Sequence, residues 1–166
     1  RGHRHEIIFH FQILHGLRIG EALGVKWEDI DFENCWLNVN RQVSNVSKSK
    51  MQSTKWAIGN GPIITPPKTG RSRRSVPLQE ATKILLEKTS VQERSNFIYC
   101  TANGNPHMVN NFRRDVFNPL RKKLGLETMQ THDLRKFFGS WLLTQDNLDI
   151  ATVSKWMGHS TPAITL

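Results

Sequence analysis

Four short segments of this 166-residue chain carry charged or titratable side chains at spacings that could do chemistry. Arg18 and Glu21 come first, three residues apart, a spacing that on a helix lets the carboxylate steady the guanidinium or a neighbouring base. Lys68, Arg71, Arg73 and Arg74 follow as a run of cations around Gly70, the composition of a hairpin finger that could reach a nucleic-acid groove. His132 and Arg135 form the third group, on neighbouring tracks in the first turn of a helix, where free backbone N–H groups and the helix dipole favour an anion. His159, directly after Gly158, is the fourth, presented by a turn and not packed on an apolar face. The His and Arg in that first helical turn, in a basic chain, make a candidate phosphate site. Taken singly, each group reads as well as an ordinary surface pair, a solvated turn or a lone histidine.

The elements that must position these groups follow from apolar spacing. Ile7, Ile8, Phe11 and Leu14 predict a buried helix over 6–14, and a second short helix runs from Arg18 to Leu23 after the break at Gly16. The alternation Trp36-Leu37-Asn38-Val39-Asn40 predicts a strand. The polar stretch from Ser44 to Gly61 reads as a loop or a long hairpin arm. Ile63–Thr65 and Arg74–Pro77 read as two strands joined by the basic turn. Helices are expected at Gln79–Lys88 and at Val109 to about Leu124, the latter kinked or split by Pro119. Leu134, Phe137, Phe138, Trp141 and Leu142 mark an amphipathic helix with Thr131 at its N-cap. Ile150–Met157 ends at Gly158, a suitable C-cap, and Thr161-Pro162 opens one more helix. The fold class is α+β: mainly helical, with one small antiparallel sheet.

Composition narrows the partner. Twenty-three Lys and Arg against fourteen Asp and Glu give a formal charge of +9, which favours a polyanion and most often nucleic acid. Cys35 and Cys100 match no metal or redox spacing and suit a reducing cytoplasm. No apolar run has the length of a membrane span. His3 and His5 have no Cys or Asp at ligand spacing, so no metal is expected.

Read in order, the four groups acquire a meaning that none has alone. The strings His15-Gly16-Leu17-Arg18-Ile19-Gly20-Glu21-Ala22-Leu23, Pro66-Pro67-Lys68-Thr69-Gly70-Arg71-Ser72-Arg73-Arg74, Thr131-His132-Asp133-Leu134-Arg135 and Met157-Gly158-His159-Ser160 resemble the motif boxes of the tyrosine recombinase (phage integrase) family. The first and third boxes are the specific ones. The arm before the basic run looks most like integrases of Gram-positive phages and conjugative elements.

The resemblance implies a recombinase catalytic domain over 1–166, with a separate DNA-binding domain ahead of it. Arg18 and Arg135 would clamp the scissile phosphate, Lys68 would protonate the departing 5′-oxygen, and His132 would assist acid–base transfer. His159 would hydrogen-bond the phosphate, and Glu21 would support the arrangement from behind. Arg71, Arg73 and Arg74 would contact DNA, and no cofactor or metal is implied. The partner would be duplex DNA at attachment sites, with self-association as a tetramer on it. The family's nucleophilic tyrosine falls just past Leu166. Tyr99, the one tyrosine present, lies in an unrelated segment and reads as a strand aromatic. Two other functions stay open on the residues alone: a type IB topoisomerase-like domain, and a regulatory DNA-binding module without cleavage.

Overall fold

Ile8 and Phe11 are fully buried on one face of the first helix, α1 (Glu6–Ile13), and the rest of the core is laid down around that face. The structure, a computed structural model, describes residues 4–44, 62–66, 73–89, 96–145 and 148–159. The Ser44–Gly61 arm beyond Ser44, the turn carrying Lys68 and Arg71, and the helix expected at Thr161-Pro162 lie outside those residues.

A turn at Gly16, whose φ of 64° suits glycine, leads into α2 (Ile19–Leu23). A 3₁₀ turn, Trp27–Asp29, then feeds β1 (Ile30–Asp31), β2 (Trp36–Val39) and β3 (Gln42–Ser44). After the arm come β4 (Ile63–Thr65), β5 (Arg74–Pro77) and α3 (Glu80–Glu87). The remaining helices are α4 (Val109–Phe112), α5 (Asn118–Lys123), α6 (Thr131–Leu143) and α7 (Ile150–Met157). Helix α1 packs against α2, α3 and α6.

The antiparallel strands form a three-stranded sheet in the order β1-β2-β5 and a separate two-stranded ribbon of β3 with β4. Thus Ile63–Thr65 and Arg74–Pro77 are not partners across a basic turn: Ile64 pairs with Val43, and Val76 pairs with Leu37. Residues 45–62 connect the two ribbon strands in the chain, and residues 66–73 connect the ribbon to the sheet.

Helix spacing predicted the other elements closely, with two informative differences. Between α4 and α5 the chain makes a π turn, Arg113–Phe117. Pro119 has no N–H to donate and its ring crowds the carbonyl of Asp115, four residues back, so the helix widens just before it. At α6 the N-cap is Gln130 and Thr131 is the first helical residue. Asp133 decides this start, because its carboxylate accepts the Gln130 backbone N–H at 2.8 Å. The same device opens α2, with Glu21 accepting from Arg18 N–H at 2.8 Å, and the 3₁₀ turn, with Asp29 accepting from Lys26 N–H at 2.8 Å.

A small second core of Phe138, Leu142, Val153 and Met157 seals α7 onto α6. Gly139 makes that contact close, since a Cβ there would lie 3.1 Å from the Met157 side chain.

Candidate active site

The site is built around one buried carboxylate. Glu21, at the third position of α2, has a side chain 1% exposed. Its Oε2 accepts the Arg18 backbone N–H at 2.8 Å, and its Oε1 accepts the Arg18 guanidinium at 3.0 Å. Arg74 approaches from β5 and donates to both oxygens, at 2.9 and 3.2 Å. Arg135 approaches from α6, its guanidinium 3.8 Å from Oε2. Three guanidiniums therefore converge on a single negative charge. Burial would raise the Glu21 carboxyl, but the charge and hydrogen bonds of Arg74, joined by those of Arg18, hold it below the usual carboxylate range.

Arg135 is buried, with a side chain 1% exposed, and is fixed by backbone. It donates to the Gly16 carbonyl at 2.5 Å and to the Met157 carbonyl at the end of α7, while its Nε is buried without a hydrogen-bond partner. Burial, with the nearby charges of Arg18 and Arg74, draws its pKa down to about 9 against the opposing pull of Glu21. It stays charged at neutral pH. Arg18 is 38% exposed along its side chain, so of the three it is the one with an open side.

The two histidines flank this charge. His132 stands exposed in the first turn of α6. Partial burial, then the charges of Arg135, Lys136 and Arg18, lower its pKa. His159 follows α7, whose last turn closes with Gly158 in the left-handed conformation (φ 62°) and His159 N–H donating to the Ser154 carbonyl at 3.0 Å. Burial and the charges of Arg135, Arg18 and Arg74 bring its pKa to about 4. Burial first, and then cations that for both rings include Arg135 and Arg18, thus keep both imidazoles neutral at pH 7.

Of the residues singled out by sequence, Arg18, Glu21, His132, Arg135 and His159 fall within this electrostatic neighbourhood. Lys68 and Arg71 lie outside the described residues. Arg73 is exposed beside β5. Arg74 is turned inward: its side chain is 2% exposed, and besides Glu21 it reaches the Trp156 carbonyl through Nε at 2.6 Å. Its place was legible in the alternation of β5, where Val76 and Leu78 are buried and Arg74 shares their face.

Gln12 was not anticipated. It is fully buried on the apolar face of α1 and donates to the Thr131 carbonyl at 2.9 Å, tying α1 to the start of α6. The clue was a polar residue at i+4 from Ile8 on that face. Tyr99 is buried, its hydroxyl 2.6 Å from His5 Nδ1 and its ring stacked on His107, and burial pushes its pKa up to about 12 despite Arg4. Among the described residues, no three His, Cys, Asp or Glu side chains gather as metal ligands. No described helix is long and apolar enough to cross a membrane.

Chemically, three guanidiniums around one carboxylate can hold an anion, and neutral imidazoles nearby can donate or accept a proton.

The model of the phage integrase family matches residues 1–166. A tyrosine recombinase XerC-like protein of Caldanaerobacter subterraneus subsp. tengcongensis is 27% identical over 181 residues, covering 99% of this chain and 45% of that protein. The integrase of Staphylococcus phage L54a is 26% identical, covering 93% of this chain and 44% of its own length. The chain thus spans about half the length of the curated relatives it matches. Among solved structures, the Tn1549 transposon integrase in complex with a circular-intermediate DNA superposes with a TM-score of 0.77 at 23% identity, over 98% of this chain and 53% of that one.

Proposed function

This chain belongs to the phage integrase family, and from that premise we propose that it is the catalytic domain of a site-specific recombinase acting on duplex DNA of a mobile element. The observation that carries the reading is the convergence of three guanidiniums, those of Arg18, Arg74 and Arg135, on the Glu21 carboxylate among the described residues. That surplus of fixed positive charge calls for an anion, and a DNA phosphate supplies one.

Arg18 and Arg135 bind the non-bridging oxygens of the scissile phosphate and stabilise the charge that grows in the pentavalent transition state. His159 hydrogen-bonds the same phosphate, and His132 relays protons. Lys68 gives a proton to the 5′-oxygen as its bond to phosphorus breaks. The attacking group is a tyrosine of the whole protein outside these 166 residues; Tyr99, with its hydroxyl against His5 and its pKa raised, is not it. Attack forms a 3′-phosphotyrosyl bond and frees a 5′-hydroxyl. A 5′-hydroxyl from the partner duplex then displaces the tyrosine, so one phosphodiester is exchanged for another. The whole protein works as a tetramer on its attachment sites, in the cytoplasm, with a DNA-binding domain ahead of residue 1.

The test incubates the native-length protein with nicked attachment-site DNA in EDTA and scores covalent protein–DNA adducts on a denaturing gel. Adduct forms with the wild type and falls by about 10²–10³ in rate with Arg135→Lys, because lysine cannot supply the guanidinium fork. Absence of any adduct, or an adduct indifferent to Arg135→Lys, overturns the reading.

A further inference from the structure

We propose that Arg74 is a positioning residue of this site, joining the Glu21 carboxylate to the C-terminal end of α7 so that Arg18 and His159 face one phosphate; this rests on the recombinase reading above. It replaces the expectation that Arg74 contacts DNA alongside Arg73.

The geometry is that of a pin. Arg74 sits on the inward face of β5, in register with Val39 on β2, so the sheet fixes its backbone. Two of its nitrogens occupy both oxygens of Glu21, and the third holds the Trp156 carbonyl. That carbonyl belongs to the last turn of α7, where backbone acceptors have no partner within the helix. Arg135 caps the neighbouring Met157 carbonyl, so two buried guanidiniums close the negative end of α7. Gly158 rests directly on this pin: a Cβ there would lie 3.0 Å from the Arg74 guanidinium. His159 is the next residue. Its place in the chain is therefore set by Arg74 from one side and Arg135 from the other.

Charge adds a second role. Glu21 is shared among Arg18, Arg74 and, at longer range, Arg135. With Arg74 holding both oxygens, Arg18 meets only part of the carboxylate's demand and keeps an exposed side for a ligand. Remove Arg74 and the buried carboxylate must be satisfied by Arg18 and Arg135, drawing both inward. A residue that never touches DNA would then control how well the clamp fits it.

The experiment uses the native-length protein with Arg74→Met, Arg74→Lys and, for contrast, Arg73→Ala. Adduct rate on nicked DNA, affinity for intact DNA with its salt dependence, and the titration of His159 by NMR are read for each. Arg74→Lys keeps a cation beside Glu21, and with it the fold, but cannot hold two carboxylate oxygens and a carbonyl in one plane. The expected result for both Arg74 variants is an adduct rate at least about tenfold lower, affinity within about twofold, and an unchanged salt slope. The His159 resonance shifts in both, and its pKa rises in Arg74→Met as a neighbouring cation is lost. Arg73→Ala instead weakens binding and flattens the salt slope by about one. An adduct rate near wild type in Arg74→Lys, or a salt slope flattened by about one in either Arg74 variant, overturns the proposal, the latter by making Arg74 a phosphate contact. If the wild type forms no adduct, the recombinase reading fails, and His159 then decides the pin separately: resonances unmoved by Arg74→Met break it, and shifted ones uphold it.

Discussion

Two polar clusters lie buried a short distance apart along α1 and α2, and they are built on opposite plans. One is the neutral chain around Thr82: the His10 and His15 rings both reach its hydroxyl, at 3.2 and 2.8 Å, and His15 donates its other ring N–H to the Pro77 carbonyl at 3.1 Å. Every group there has a partner, and the pKa of His15 is brought to about 4 chiefly by burial, so the ring carries no charge at pH 7. The other cluster, around Glu21, buries the guanidiniums of Arg74 and Arg135 with one carboxylate, leaves Arg18 partly exposed and leaves the Arg135 Nε unmatched. Polarity kept for structure is satisfied and neutral. The Glu21 cluster is charged, with one buried donor left open, which is the arrangement the proposed phosphate would complete.

The sharpest way to break the comparison is to remove the single anion. Glu21→Ala leaves buried guanidiniums without a counter-charge and should cost about 3–5 kcal/mol in a chemical denaturation curve. A loss below about 1 kcal/mol would mean the arginines are not held in a buried, carboxylate-dependent arrangement.

Acid should find the neutral cluster next. His15 titrates at 6.5 when unfolded and at about 4 when folded, so between those values the unfolded chain binds more protons. Stability is complete above pH 6.5 and falls as pH drops toward 4, by on the order of 3 kcal/mol from this ring. His10, His107, His132 and His159 shift the same way and add to the slope. His15→Asn should flatten the stability-versus-pH curve over that window, and parallel curves for variant and wild type would show that His15 is not the buried titrating ring.

The smallest effect is the most specific to the charged cluster. Sulfate at ten times its dissociation constant should stabilise the protein by about 1.4 kcal/mol beyond chloride at matched ionic strength. Thr82→Val, which damages only the neutral cluster, should keep that increment, whereas Arg135→Lys should lose most of it. An equal increment in all three proteins would reduce it to general salting-out.

The same contrast explains what sequence made legible. Helix spacing located α1, α6 and α7 nearly to their ends, because apolar periodicity is a local property. Arg18, Glu21, His132, Arg135 and His159 were singled out by ordered motifs, and the fold brings them into one electrostatic neighbourhood. Strand partners were harder: β4 and β5 are close in sequence, but each pairs with an earlier strand, and no local signal states that. The inward turn of Arg74 was missed because a run of cations reads as a solvated tip, whereas the pleat alone decides which of two adjacent arginines faces the interior. Gln12 was hidden for the opposite reason, as one polar residue within an apolar face whose partner, Thr131, lies 119 residues away.

That long reach bears on how the chain folds. Arg135 meets Gly16 across 119 residues, Arg74 meets Trp156 across 82, and Glu21 meets Arg74 across 53. Contacts of such separation cost the most loop entropy and form after the local helices are in place. The arginine cluster therefore has no early, half-built form: a nascent or partly unfolded chain holds its arginines on separate pieces, and the proposed phosphate site would arrive only with the finished topology.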